Sequence, residues 1–244
     1  MDKVALVTGA SRGIGKACAL RLAQDGYTVV VNYSSSDAAA QETLSQIQSA
    51  GGNGMLYKAD VSKLDQVKLM VREVFKAYGR IDVLVNNAGI VRDEYLLMIN
   101  PDTLDKCMDL NVKGYIYCAQ QVALKMFKQK SGVIINMSSV SSKFALAGQS
   151  VYSATKGAVN SLTQTLAKEL GGYGIRVNAV APGFIQTEMI DAIPEDKSKE
   201  YVEKIPLKRF GSPEDVANMV SALASDQFAY VTGQVFVLDG GLSL

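Results

Sequence analysis

Tyr152 and Lys156 stand four residues apart in Tyr-Ser-Ala-Thr-Lys, at the head of a segment where Ala158, Leu162, Leu166 and Leu170 recur at helical spacing. A helix over residues 152–171 places both side chains on one face. A free phenol titrates near ~10, and an ammonium held beside it favours the phenolate, which brings the proton within reach of transfer near neutral pH. Tyr152 is therefore a candidate general acid/base. Such a pair also occurs on solvated helix surfaces, so its meaning rests on the elements around it. Histidine is absent, which removes Ser-His nucleophilic triads and His-ligated metals, and no metal site is expected.

Those elements begin with an apolar run at residues 4–8, a glycine-rich stretch at 9–15 and helical periodicity at 14–24, which read as strand, turn and helix. In Thr8-Gly-Ala-Ser-Arg-Gly-Ile-Gly15 the glycines let the backbone turn sharply and approach a pyrophosphate at the helix N-terminus, where free N–H groups and the dipole favour an anion. The second strand, at 28–33, ends in Asn-Tyr-Ser-Ser, with no carboxylate where a ribose-binding acid is expected. Nothing there repels a 2′-phosphate, and Arg12 and Ser34 can bind one, so NADP(H) is predicted over NAD(H). Asp37, the nearest acid, reads instead as a first-turn residue of the next helix.

A third strand at 55–59 is followed by Asp60, which either accepts from an adenine amino group or, with Ser62 as the other candidate, caps a helix over 63–78. Residues 81–85 form an apolar run that ends in Asn86-Asn-Ala-Gly89, as a buried parallel strand and tight turn would. One long helix is predicted over 104–128. It contains Asn111, which either ties adjacent elements together or distorts the helix and holds a water near the site. A fifth strand at 133–137 delivers Ser138, Ser139, Ser141 and Ser142 just past its end, where ligands bind in open α/β sheets. A sixth strand at 175–181 stops at Pro182-Gly183. Residues 184–211 form a long Pro-bounded connection, read as a substrate lid with Met189, Ile190 and Ile193 on its inner face. Ser212-Pro-Glu-Asp215 starts a helix, and residues 234–238 supply the last strand. The whole chain, 1–244, reads as a single α/β domain of Rossmann type, a doubly wound parallel sheet of about seven strands flanked by helices.

Composition narrows the function classes. The 244 residues carry a net charge of +1 with scattered Lys and Arg, so no field for nucleic acid or anionic lipid is present. Cys18, Cys107 and Cys118 lack paired spacing, which suits packing in a reducing compartment. No stretch has the layout of a signal peptide or the length of a membrane span, and a soluble cytoplasmic protein is expected.

Taken together, Thr8–Gly15, Asn86-Asn-Ala-Gly89, Ser139, Tyr152-x-x-x-Lys156 and Pro182-Gly-x-x-x-Thr187 give a chain that resembles the short-chain dehydrogenase/reductases from residue 3 to the C-terminal Leu238-Asp-Gly-Gly. Within that family it is most similar to the branch that reduces 3-oxoacyl thioesters on an acyl carrier protein. The resemblance implies an NADPH-dependent ketone reductase. Tyr152 would give the proton to the developing alkoxide, Ser139 would hydrogen-bond the substrate oxygen, and Lys156 would lower the tyrosine pKa and hold the nicotinamide ribose. Asn111 would position a water that feeds protons to Lys156. The cofactor contacts it implies are Gly9, Ser11, Arg12, Gly13, Ile14, Ser34, Asp60, Val61, Asn87, Ala88, Pro182, Ile185 and Thr187, with Tyr152 and Lys156. Substrate contacts fall on Ser139, Gln149 and Tyr152, and the assembly implied is a homotetramer packed through the two long helices. One departure concerns the carrier: where the branch presents two basic residues, this chain has Lys130 and Tyr173. Lys128 and Arg176 are the candidates to compensate, and acetoacetyl-CoA or another small or polycyclic ketone is the alternative substrate. A non-catalytic nucleotide-binding scaffold is the remaining reading.

Overall fold

The computed structural model describes residues 2–188 and 194–244. Seven strands, β1 (Val4–Val7), β2 (Thr28–Tyr33), β3 (Gly54–Lys58), β4 (Val83–Asn86), β5 (Gly132–Met137), β6 (Ile175–Pro182) and β7 (Val235–Leu238), form one parallel sheet in the order β3-β2-β1-β4-β5-β6-β7. The inner strands β1, β2 and β4 are buried at every residue, which is why they read as unbroken β-branched runs rather than alternating ones. The order reverses between β1 and β4, so their carboxyl ends part to leave a crevice.

Helices cover both faces. On one, α1 (Gly13–Gln24) and α8 (Pro213–Ala224) bury Cys18, Leu22, Val216 and Val220 against the sheet. On the other, α3 (Leu64–Tyr78), α5 (Gly114–Gln129) and α6 (Ser150–Leu170) bury Val67, Met70, Val122, Met126 and Ala167. Fully buried side chains such as Ile134 and Leu84 each contribute about 1.5–3 kcal/mol by leaving water. The Ser212 start predicted for α8 is a full capping box: Ser212 Oγ accepts from Asp215 N at 3.1 Å and Asp215 Oδ2 accepts from Ser212 N at 2.8 Å. Among the described residues the other α-helices are α2 (Asp37–Ser49), α4 (Pro101–Met108) and α7 (Glu195–Lys204).

A buried polar ladder sets α6 against the sheet. Asn86 and Asn136 are register partners on β4 and β5. Asn86 Nδ2 donates to Asn136 Oδ1 at 2.9 Å, and Asn136 Nδ2 donates to Thr163 Oγ1 of α6 at 2.9 Å. Broken buried amides are costly, so the ladder holds the rotation and depth of the helix that carries Tyr152 and Lys156.

Two local expectations change. The long helix predicted at 104–128 starts earlier and is interrupted: α4 gives way to a π turn, Asp109–Lys113, before α5. Helix α3 begins after Lys63 with no side-chain cap, because Asp60 Oδ1 accepts from Ser62 N at 2.9 Å in a tight turn of its own. Of the connection read as a lid, Ile185 bridges to Gly211 and Phe184 stacks on Tyr201 of α7 at 4.8 Å. Met189, Ile190 and Ile193 lie outside the described residues.

Candidate active site

The crevice at the carboxyl ends of β1, β2 and β4 opens into a groove of about 930 Å³. Its floor is the glycine turn. Gly9 and Gly13 have φ of +62° and +54°, a conformation that favours glycine. A Cβ on Gly9 would stand 2.9 Å from Ala88 Cα, and one on Gly15 would stand 2.2 Å from Gly9 O, so the turn packs too closely for any side chain. Thr8 locks it to the β4 turn: its Oγ1 accepts from Asn87 N at 2.9 Å and from Ala88 N at 3.1 Å, while Asn87 Nδ2 donates back to Thr8 O and Gly9 O. Asn32, buried at the end of β2, braces the other side by donating to Tyr57 O and Ala59 O.

Helix α1 starts in this groove with no side-chain cap and no acid in its first turn. Its leading N–H groups are free for an anion, and at Gly9 and Gly15 the turn beneath them has no room for a Cβ. The residues present thus fit a dinucleotide phosphate. Ser11, Arg12, Ile14, Ser34, Asp60 and Val61 line the groove with Asn87, Ala88 and Thr187. Asp37 is turned away, paired with Lys58 Nζ at 2.8 Å and accepting from Tyr33 Oη at 2.9 Å, and Lys58 holds its carboxyl below the usual carboxylate range. Arg12 forms an ion pair with Glu188 at 3.5 Å, both side chains being largely exposed. Ile185 is packed into the core rather than onto the groove, and Pro182 ends β6 as a buried residue.

Ser139, Tyr152, Lys156 and Asn111 are brought together beside this groove by three elements: the end of β5, helix α6 and the π turn. Lys156 is 4% exposed. Its Nζ donates to Met137 O at 2.7 Å and to Tyr115 Oη at 3.4 Å, and it lies 5.6 Å from the centre of the Tyr152 ring. Asn111, fully buried in the π turn, makes three bonds: Nδ2 to Ile90 O at 2.9 Å and to Thr155 Oγ1 at 3.2 Å, and Oδ1 from Ile90 N at 2.9 Å. It therefore ties the loop after β4 to α6, and it does so from a distorted helix, so the two sequence readings of its structural role coexist. Thr155 carries the link onward by donating to Tyr152 O at 2.7 Å.

The strand-end serines divide by partner. Ser138 Oγ donates to Asn160 Oδ1 at 2.6 Å and Ser142 Oγ accepts from Asn160 Nδ2 at 2.9 Å, so these two fasten the loop to α6. Ser139 acts on the Tyr152 phenol in favour of its charged form and also meets Ser141, which in turn donates to Gln149 Oε1 at 2.9 Å. Tyr115 and Asp93 were not legible as site residues, whereas Ser141 stands among the strand-end serines named from the sequence. Tyr115 reads as one apolar position of α5, yet its hydroxyl donates to Met137 O at 3.1 Å beside Lys156.

The electrostatics differ from those expected of a helical Tyr/Lys pair alone. Burial pushes the Tyr152 phenol up to about 12, opposed by the Ser139 bond and reinforced by the Asp93 charge. Burial pushes the Lys156 amine down to about 7. In the protein by itself desolvation disfavours both charged forms and outweighs their mutual attraction. The result is a phenol that keeps its proton at neutral pH beside an amine that exchanges one there.

Among the described residues no helix is long and apolar enough to cross a membrane. Residues 9–243 match the family model described as Enoyl-(Acyl carrier protein) reductase. The chain is 47% identical over 242 residues to the 3-oxoacyl-[acyl-carrier-protein] reductase FabG of Staphylococcus epidermidis, covering 99% of each protein. It is 45% identical over 240 residues to the protein of that name from Thermotoga maritima, covering 98% of this chain and 97% of that one. A crystal structure from Sinorhizobium meliloti 1021, described as that of a short-chain alcohol dehydrogenase, superposes with a TM-score of 0.94 at 34% identity over 98% of this chain and 96% of that one. With a glycine turn under an uncapped helix, a Ser139–Tyr152–Lys156 cluster at the same sheet edge and full-length relatives at this identity, the chain belongs to the short-chain dehydrogenase/reductase family.

Proposed function

We propose that the protein is an oxidoreductase that reduces the ketone of a 3-oxoacyl thioester, carried on acyl carrier protein, to the 3-hydroxyacyl product with NADPH. The observation that carries this reading is the protonated Tyr152 phenol with Ser139 acting on it and the Lys156 amine behind it, at the crest that also holds the uncapped α1 terminus. The names of the relatives agree with it. The nicotinamide, when bound, supplies hydride to the carbonyl carbon. Tyr152 supplies the proton that the oxygen takes up, and Ser139 donates a hydrogen bond to that oxygen as its charge builds, which stabilises the transition state more than the ketone. Lys156, titrating near 7, restores the tyrosine proton and, with Asn111 behind it, is the inner end of the proton supply. An apolar wall suits an acyl chain: Leu96 borders a cavity of about 470 Å³ with Ala145 and Leu146 opposite.

NADP(H) is preferred because the groove presents Arg12 and Ser34 with Asp37 neutralised by Lys58. Arg12→Ala is expected to weaken NADPH roughly ten-fold or more, the size of one lost charge-assisted contact, and NADH little; equal losses in fluorescence titrations with the two cofactors would count against the assignment. A homotetramer is supported by apolar residues left exposed on one face of α5, Ile116, Leu124 and Phe127, and sedimentation measures it.

The carrier is the open half of the substrate. Lys130 is exposed at the end of α5, but Tyr173 packs edge-on against Phe127 at 4.7 Å. Arg176 does not compensate, because its guanidinium donates to Leu223 O and Ser225 O at the end of α8 and to Val231 O further along the chain. This favours acetoacetyl-CoA or a free ketone as the second reading. Comparing kcat/KM for acetoacetyl carrier protein, acetoacetyl-CoA and free ketones separates the two. Lys130→Glu is expected to raise KM several-fold for the carrier-bound substrate alone, since a charge reversal at a rim acts on encounter with the acidic carrier.

A further inference from the structure

Beside the Tyr152 phenol, a hydrogen-bonded chain begins at Ser139 and runs to the protein surface. Ser139 Oγ donates to Ser141 Oγ at 3.2 Å and accepts from Ser141 N at 3.1 Å. Ser141 Oγ donates to Gln149 Oε1 at 2.9 Å, and Gln149 Nε2 donates to Asp93 Oδ2 at 3.4 Å. An ionised carboxylate can only accept. Asp93 therefore requires the amide nitrogen of Gln149, which leaves Oε1 facing Ser141, and Ser141 must spend its one hydroxyl proton on that oxygen. Ser139 then receives no O–H bond from Ser141 and keeps its own proton, parked on an acceptor that a substrate carbonyl can replace. Were Asp93 neutral, Gln149 could turn its NH₂ to Ser141 and the chain could run the other way, with Ser141 donating its hydroxyl proton to Ser139.

We propose that Asp93, acting through Gln149 and Ser141, is a positioning residue that sets the direction of this chain and so holds the Ser139 and Tyr152 protons ready for the substrate oxygen. This rests on the reductase reading above. The groups that face the phenol are Lys156 on its own helix, Tyr115 from α5, Ser139 from the end of β5, and Asp93 from the loop after β4. Asp93 acts on the phenol by charge in the same sense, holding it protonated. Its own neighbours in sequence, Arg92 and Glu94, carry opposite charges.

Asp93 is exposed, so Asp93→Asn should fold normally. With NADPH and acetoacetyl-CoA, Asp93→Asn and Gln149→Leu are each expected to lower kcat about 5-fold, the effect of one mis-set neutral hydrogen bond. The double variant should be no worse than Gln149→Leu, because both act through one chain. The basic limb of kcat/KM should also move to lower pH in Asp93→Asn. Multiplicative losses, or a raised KM with kcat intact, would overturn the proposal. An inactive wild type would defeat the reductase reading instead, and the chain would still be read by carbon-13-labelled tyrosine: the Tyr152 resonance, assigned with Tyr152→Phe, should shift and begin to titrate at lower pH in Asp93→Asn. An unmoved resonance would end the idea.

Discussion

Tyr152→Phe is expected to bind NADPH as the wild type does and to lose turnover by about 10²–10⁴-fold, the range for removing a positioned acid/base group. The ring stays, so its contacts with Lys156 and the packing of α6 persist. The hydroxyl goes, and with it the proton that meets a developing alkoxide. Since Ser139 remains, a residual rate from hydrogen bonding alone should survive, and kcat should fall while the dissociation constant of NADPH does not. Cofactor fluorescence and steady-state kinetics on one preparation provide the check. Near-normal turnover would remove Tyr152 from the chemistry.

Lys156→Met is expected to be nearly inactive, by about 10²-fold or more for a lost proton relay, and at the same time more stable than the wild type at mildly acid pH. The wild-type amine is shifted from its ordinary 10.5 to about 7. Between those values the unfolded chain holds a proton that the folded one has released, so wild-type stability rises with pH across the window 7–10.5. Below 7 the buried ammonium exacts its full desolvation penalty. At about 1.4 kcal/mol per unit the whole effect is at most about 4–5 kcal/mol. Methionine removes the ionisable group, so this rise should disappear, and the variant should gain most near pH 6. Met137 O is not orphaned, because Tyr115 Oη still donates to it at 3.1 Å. The raised Tyr152 phenol acts elsewhere: its favourable share is present below its ordinary 10 and is lost between 10 and about 12. Thermal unfolding at pH 6 and pH 9.5 for both proteins measures the difference, and parallel pH dependences would contradict it.

The amino-acid sequence by itself determined the sheet, the turn and the identity of the reacting pair, because each depends on neighbours in the chain. Unbroken runs such as Val-Ala-Leu-Val and Thr-Val-Val-Val specify strands buried on both faces. The glycines from Gly9 to Gly15 specify a backbone that reaches a phosphate, and Tyr152 and Lys156 are joined by helical periodicity. What only the tertiary structure decided is set by neighbours far apart in the chain. Asn160 selects Ser138 and Ser142 as fasteners and leaves Ser139 and Ser141 for the site. The π turn puts Asn111 in reach of Ile90 and Thr155. Arg176 is spent on the carbonyls that end α8. The protonation of the pair belongs here too: a Tyr and a Lys four apart on a helix attract as charges in water, but buried together behind Met137 and Tyr115 each has its charged form disfavoured, because desolvation is a property of the folded surroundings and leaves no mark on spacing.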